Sequence, residues 1–190
     1  MIFISCSHQE VNHEKYIVVN NGYIYSVVNF KNDTILKLDS AKYFVCFDDT
    51  VENFLIVAPK TRKGWWAIDF DENYLFQVYN TIHGEPSPDE ITNGRIRIVD
   101  EQGKIGFANE KGEIIIKPQF EQVTAFYKGF AIIGQDCRII PWDTIHSVSD
   151  CHHYSISCLK NGYIDKDGII IEIGSLTFDE LWDKLDFPKE

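Results

Sequence analysis

The strongest constraint in this chain is a turn signal that keeps returning between short strand-like runs. Residues 94–134 show it best. Arg95-Ile96-Arg97-Ile98-Val99 alternates polar and apolar, as a half-buried strand should. Asp100-Glu101-Gln102-Gly103 follows, then Lys104-Ile105-Gly106-Phe107-Ala108, then Asn109-Glu110-Lys111-Gly112, then Glu113-Ile114-Ile115-Ile116. Asp or Asn at the first turn position folds the turn through its own side chain. Gly at the fourth supplies positive φ, which gives a type I turn with a bulge. The pattern predicts a three-stranded antiparallel meander. Such a unit cannot bury its apolar face alone, so neighbouring units must complete the core.

The signal recurs. Gly162-Tyr163-Ile164 leads into Asp165-Lys166-Asp167-Gly168 and then Ile169-Ile170-Ile171. Trp65-Trp66-Ala67-Ile68 leads into Asp69–Asn73 and then Tyr74–Val78. Asn21-Gly22-Tyr23-Ile24 leads into a longer turn near Lys31-Asn32-Asp33, then Thr34-Ile35-Leu36. Taking Gly22, Trp66, Gly106 and Gly162 as equivalent gives spacings of 44, 40 and 56 residues, the sign of stacked supersecondary units. The expected fold is all-β. It is a single domain over 1–190, with four degenerate hairpin or meander repeats near 15–50, 54–90, 94–130 and 131–174, closed by a short C-terminal capping helix.

That helix is expected over 176–186. Thr177 and Glu180 form a capping-box pattern, with Leu176 and Leu181 as the staple. Phe178, Leu181, Trp182 and Leu185 fall on one face and cover the last repeat. A rival reading makes it an acidic docking helix. Residues 80–93 break the repeat pattern, and His83–Glu90 is a loop by composition.

The residues of the central unit resemble the WG repeat family of bacterial proteins. Gly103-Lys104-Ile105-Gly106-Phe107-Ala108-Asn109 is similar to the family's Gly-Lys-Trp-Gly-aromatic-apolar-Asp start. Pro118-Gln119-Phe120 matches its Pro-x-aromatic centre, and Gly129-Phe130-Ala131 its Gly-x-Ala close. Lys160–Asp165 looks like a second start, Lys63–Asp69 like a degraded one and Asn20–Ile24 like a weaker one. The namesake Trp-Gly pair is nowhere intact: Ile105-Gly106, Asn161-Gly162 and Trp65-Trp66 stand in its place. The resemblance implies a hairpin-repeat architecture and carries no agreed activity.

Composition narrows the function classes. Aromatics at 14% argue against disorder. No apolar run approaches the roughly 20 residues a membrane span needs, and the N-terminus lacks the basic region of a signal peptide. Cys6, Cys46, Cys137, Cys151 and Cys158 are odd in number and irregular in spacing, a poor disulfide framework that suits a reducing, cytoplasmic setting. The net charge of −11 is concentrated. Residues 65–94 hold six acids and no Lys or Arg, and residues 165–190 hold eight acids against three bases. Such fields disfavour nucleic acid and anionic membranes and favour a basic partner.

No nucleotide, hydrolase or zinc-protease motif is present, so no catalytic residue and no cofactor is assigned. Cys137, His146, Cys151 and His153 are of the types zinc prefers, but they lack structural-site spacing. They support only an alternative reading as a metal-dependent enzyme. Asp48-Asp49-Thr50-Val51-Glu52 reads as a solvated turn. Arg95 and Arg97 fall on one strand face and read as charges that blunt an exposed strand.

The function expected is a non-catalytic protein-binding module. Its most concrete form is an acidic immunity or antidote protein that sequesters a basic toxin domain. A repeat scaffold unrelated to toxins is the alternative. Contacts are assigned from the charge map: Asp69, Asp71, Glu72, Glu85, Asp89 and Glu90 in one stretch, and Asp179, Glu180, Asp183 and Asp186 in the other. Trp65 and Trp66 serve as aromatic anchors, since Trp is enriched at interface hot spots.

Overall fold

The computed structural model describes residues 15–46, 50–81, 87–141 and 154–188. Strands β1 (Tyr16–Asn20), β2 (Ile24–Val28) and β3 (Thr34–Asp39) form a first meander, followed by the short strands β4 (Tyr43–Val45) and β5 (Thr50–Val51). Strands β6 (Leu55–Pro59), β7 (Trp65–Ile68) and β8 (Tyr74–Val78) form a second, with β9 (Asn80–Thr81) and β10 (Ser87–Pro88) after it. Strands β11 (Arg95–Val99), β12 (Ile105–Asn109) and β13 (Ile114–Phe120) form a third, then comes β14 (Gln122–Val123). Strands β15 (Phe130–Pro141), β16 (Tyr154–Asp165) and β17 (Ile170–Gly174) form a fourth, and helix α1 (Phe178–Lys184) closes the chain. The fold is all-β with a short C-terminal helix. The second and third meanders join through β8 and β11 into one sheet of order β13-β12-β11-β8-β7-β6-β4. The first and fourth lie in sheets of order β3-β2-β1-β5 and β14-β15-β16-β17.

The turns explain why these strands form. Asn29, Asp69, Asp100, Asn109 and Asp165 each head a five-residue turn. In every case one side-chain oxygen accepts from the backbone amides two and four residues on, at 2.8–3.0 Å. The fourth residue is left-handed: Asn32, Glu72, Gly103, Gly112 and Gly168 have φ of 64°, 62°, 77°, 83° and 81°. Gly, Asn and Asp carry little or no penalty there, whereas Glu72 does. The turn in the first meander begins at Asn29 and is the same length as the others, not longer as its sequence suggests.

Four of these turns join the second strand of a meander to the third. Their heads, Asn29, Asp69, Asn109 and Asp165, are spaced 40, 40 and 56 residues apart. Soon after each turn the register slips by one residue, leaving Ile35, Leu75, Ile115 and Ile171 as the extra residue on the third strand. Each stands six residues beyond its turn head. Trp66, Gly106 and Gly162 each stand three residues before theirs. Gly22 does not, since it lies in the preceding turn and Ser26 occupies the matching place.

Strand alternation points one face of each sheet inward. Val27, Leu38, Val45, Leu55, Val57 and Ile68 form one core cluster. Ala67, Val78, Ile96, Ile98 and Ala108 belong to a second, and Ile105, Phe107, Phe126, Ala131, Ile133 and Ile164 to a third. Phe107 and Phe126 meet edge to face at 4.6 Å.

Helix α1 is capped as its sequence predicts. Thr177 Oγ1 accepts from the Glu180 amide at 3.2 Å, and Glu180 Oε2 accepts from the Thr177 amide at 2.7 Å. Leu176, Leu181, Trp182 and Leu185 pack with Phe187 over Ile132, Tyr127 and Tyr163, so the helix covers one face of the β15–β16 pair. Phe178 departs from its expected place and is exposed.

The cysteine expectation is corrected. The β15–β16 register sets Cys137 opposite Cys158, and the two form a disulfide. Their separation of 21 residues carries no signal by itself, because the pairing comes from hairpin register.

Candidate partner-binding surface

The acidic residues named from the charge map fall into three groups. Several are engaged in holding the fold. Asp69 heads its turn with both carboxylate oxygens, accepting from Asp71 and Asn73 amides and from the Asn73 side chain. Those bonds to Asn73 hold its carboxyl below the usual range. Glu72 accepts from the Tyr43 hydroxyl at 3.0 Å, and burial together with that bond holds Tyr43 above the ordinary tyrosine range. Glu180 closes the helix cap, and the two Thr177 bonds lower its pKa. Asp186 meets Lys128 Nζ at 2.5 Å and is likewise held low.

Asp89 is a correction. It is 4% exposed and cannot serve as a surface contact. Its carboxylate accepts from the Arg97 amide at 2.8 Å and from Arg97 Nε at 3.1 Å, and it meets Arg97 Nη2 at 2.5 Å. Arg97 in turn stacks on Tyr79 at 4.6 Å and donates to the Val123 carbonyl at 3.3 Å. Arg97 is therefore no edge-blunting charge. It ties the segment after β10 to β11 and β14. Arg95 lies over the Phe126 ring at 4.7 Å and donates to the Lys166 carbonyl at 3.0 Å.

The third group is exposed: Asp71, Glu90, Asp179 and Asp183. Glu85 lies outside the described residues. Trp65 and Trp66 are half-buried. Trp65 packs edge-on to Phe44 at 5.9 Å and against the core cluster around Phe54 and Phe76. Trp66 meets Tyr74 edge-on at 5.5 Å, and Arg62 caps both rings at 5.1 and 4.1 Å.

The fold brings Glu90 to a feature that no single stretch of sequence shows. A cleft of about 460 Å³ is lined by Glu52, Phe54, Asp89, Glu90, Ile91 and Glu110, among others, and among the described residues no Lys or Arg lines it. Asn53 Nδ2 donates to the Glu110 carbonyl at 2.9 Å and ties two of its walls together. Asp89 is committed to Arg97, and Glu52 meets Lys15 at 3.2 Å. Glu90 and Glu110 are exposed at its rim. Glu52 reads in sequence as part of a solvated turn, and Glu110 as a turn residue of the central unit. The strand pairing of β6, β7, β8, β11 and β12 sets them near Glu90.

The Cys/His alternative loses a ligand. Cys137 is in the disulfide and offers no thiolate to a metal. His146, Cys151 and His153 lie outside the described residues. Among the described residues no group of three or more His, Cys, Asp or Glu is placed to hold a metal ion. Among the same residues no helix is long and apolar enough to cross a membrane.

Repeated three-stranded meanders with one turn chemistry, one bulge position and shared cores define an antiparallel β-repeat protein. Residues 105–136, from β12 into β15, match the family model described as WG containing repeat. No curated protein matches the chain at a significant level.

Proposed function

We propose that the chain is a non-catalytic protein-binding module that engages a basic partner. The observation that supports this most is the cleft of about 460 Å³, bordered by the exposed Glu90 and Glu110 and by the Lys15-paired Glu52, with no Lys or Arg among its described lining residues. A Lys or Arg side chain of a partner entering it meets negative charge over apolar walls formed by Phe54 and Ile91. Charge of one sign in a concave site also speeds encounter with the opposite charge. The most concrete form is an antidote that covers the basic surface of a toxin domain. The alternative is a repeat scaffold that binds an apolar partner without charge steering.

The test is a pull-down from the source cell with the tagged chain, washed at low and then high salt. A basic protein released as salt rises supports the acidic-module reading, and its activity decides whether it is a toxin. A partner that resists salt favours the scaffold. Glu90→Lys combined with Glu110→Lys should then slow association by roughly tenfold and flatten its salt dependence. An unchanged on-rate removes the cleft from the proposal. Asp89 is left intact in this variant because its loss would unsettle the fold.

A further inference from the structure

We propose that the Cys137–Cys158 disulfide is a redox-operated staple on a hinged two-stranded arm, opened by a dithiol reductant. Strands β15 and β16 run on past their outer neighbours. β14 pairs with β15 only as far as Gly134, and β17 pairs with β16 only from Asn161 onward. Beyond those points 135–141 faces 154–160 as a ribbon of two strands. The ribbon leaves Ile139, Ile140 and Leu159 67%, 48% and 68% exposed. Among the described residues no third strand pairs with this ribbon; two strands alone are marginal in water, and the disulfide is the covalent tie between them.

The root of the arm is built as a hinge. Asp136 is left-handed with φ 55°, and the ladder passes from Gln135–Lys160 to Cys137–Cys158 around it. The Cys137 amide donates out of the ladder, to Glu121 Oε2 at 2.9 Å. The disulfide sits just outside this hinge and links residues 21 apart. It rests against Gly134, where an added Cβ would lie 3.0 Å from Cys137 Sγ and closer still to Cys158 Sγ. Both cysteines are half-buried, and Cys158 lines an open hollow of about 420 Å³ with Gln122, Ser157 and Asn161. A small dithiol reaches the sulfur from that side.

The exchange is balanced as follows. One thiolate of the dithiol attacks a disulfide sulfur, the Cys137–Cys158 bond breaks, and a mixed disulfide forms. The second thiol of the reagent displaces it and leaves as the reagent's own disulfide. Two electrons pass to the protein, and Cys137 and Cys158 take up two protons as thiols. The loop constraint on the open arm is then gone, and the arm opens as a local unit while the shared cores persist.

Hydrogen exchange on the full chain, purified without reductant and compared before and after dithiothreitol, tests this. The amides of residues 138–140 and 155–157 should exchange at least about tenfold faster after reduction, with those of β12 unchanged. The double variant C137S/C158S should reproduce the reduced pattern without reagent. Arm exchange that stays constant while thiol titration shows both cysteines reduced would overturn the proposal. So would equal acceleration in β12, which would make the disulfide a staple of the whole domain, or two free thiols in the untreated chain.

Discussion

The third meander and the one forty residues before it share a turn and a bulge but differ at the second strand. Asn109 and Asp69 head matching turns, and Ile115 and Leu75 are matching bulge residues. Yet Gly106 stands where the earlier meander has Trp66. Beside Gly106 the register between β12 and β13 slips a second time, from Ile105–Phe120 to Phe107–Ile116. That slip draws the backbone of 116–118 over the glycine, and a Cβ there would meet the Ile116 carbonyl oxygen and lie 2.5 Å from the Pro118 nitrogen. Between β7 and β8 the register around Trp66 is regular, with Trp66 opposite Gln77, so a large side chain fits and stacks on Tyr74. Turn chemistry is thus the part of the repeat set by local sequence. The second-strand residue answers to how closely the third strand approaches.

The largest expected effect lies at Arg97, which stands where the earlier meander has the fully buried Val57. Asp89→Ala leaves the Arg97 side chain, 16% exposed, without its carboxylate, and should cost about 3 kcal/mol in urea unfolding. Adding Arg97→Val should recover most of that loss, since a well-packed apolar pair often replaces a buried ion pair at no cost. If the double variant is no more stable than Asp89→Ala, the two meanders differ in more than this pair.

Next comes the glycine itself. Gly106→Ala should destabilise by about 2–3 kcal/mol, because the added methyl meets backbone that cannot rotate away. Trp66→Ala should cost about 1 kcal/mol, the loss of one edge-on ring contact and one cation–π contact at a half-exposed site. Gly162→Ala should behave like Gly106→Ala, since its Cβ would meet the Glu172 carbonyl oxygen and Ile173 Cα. Equal costs at Gly106 and Trp66 would sink the argument from strand approach. Smaller than the glycine effects, Asn109→Ala and Asp69→Ala should each cost about 1–2 kcal/mol, as each removes two side-chain bonds to backbone amides. Unequal losses would mean that the turns are alike in shape but not in weight.

These comparisons also show what could be read from the sequence. The turns, the alternating strands and the helix cap are legible because Asp, Asn, Gly and Thr act within four residues of themselves. The first turn reads as falling late, near Lys31–Asp33, because its left-handed position holds Asn32 instead of Gly and so masks the head at Asn29. The disulfide, the Arg97–Asp89 pair and the cleft were not legible. Each depends on register between strands: Cys137 meets Cys158 through the β15–β16 ladder, and Glu52, Glu90 and Glu110 converge across the joined sheet. Charge counting placed Asp89 at the surface because composition cannot tell a solvated acid from one folded onto an arginine.

The smallest effect concerns how the third meander is tied to the fourth. Glu121 accepts from the Cys137 amide and from Lys104 Nζ at 3.3 Å; forty residues earlier the matching positions hold Thr81 and Gly64, which offer no such charge. The Cys137 amide first, and Lys104 second, lower the Glu121 pKa. A carboxylate with a depressed folded pKa contributes stability that is complete above its unfolded value, near 4.3 for Glu, and is lost as pH falls through the folded one. The Cys137 amide resonance should therefore titrate with Glu121, lower than an ordinary glutamate, and Glu121→Gln should abolish that titration while leaving the Trp66 indole resonance unmoved. If the Cys137 amide still titrates in the variant, another acid holds the root of the arm, and the tie between the two meanders runs elsewhere.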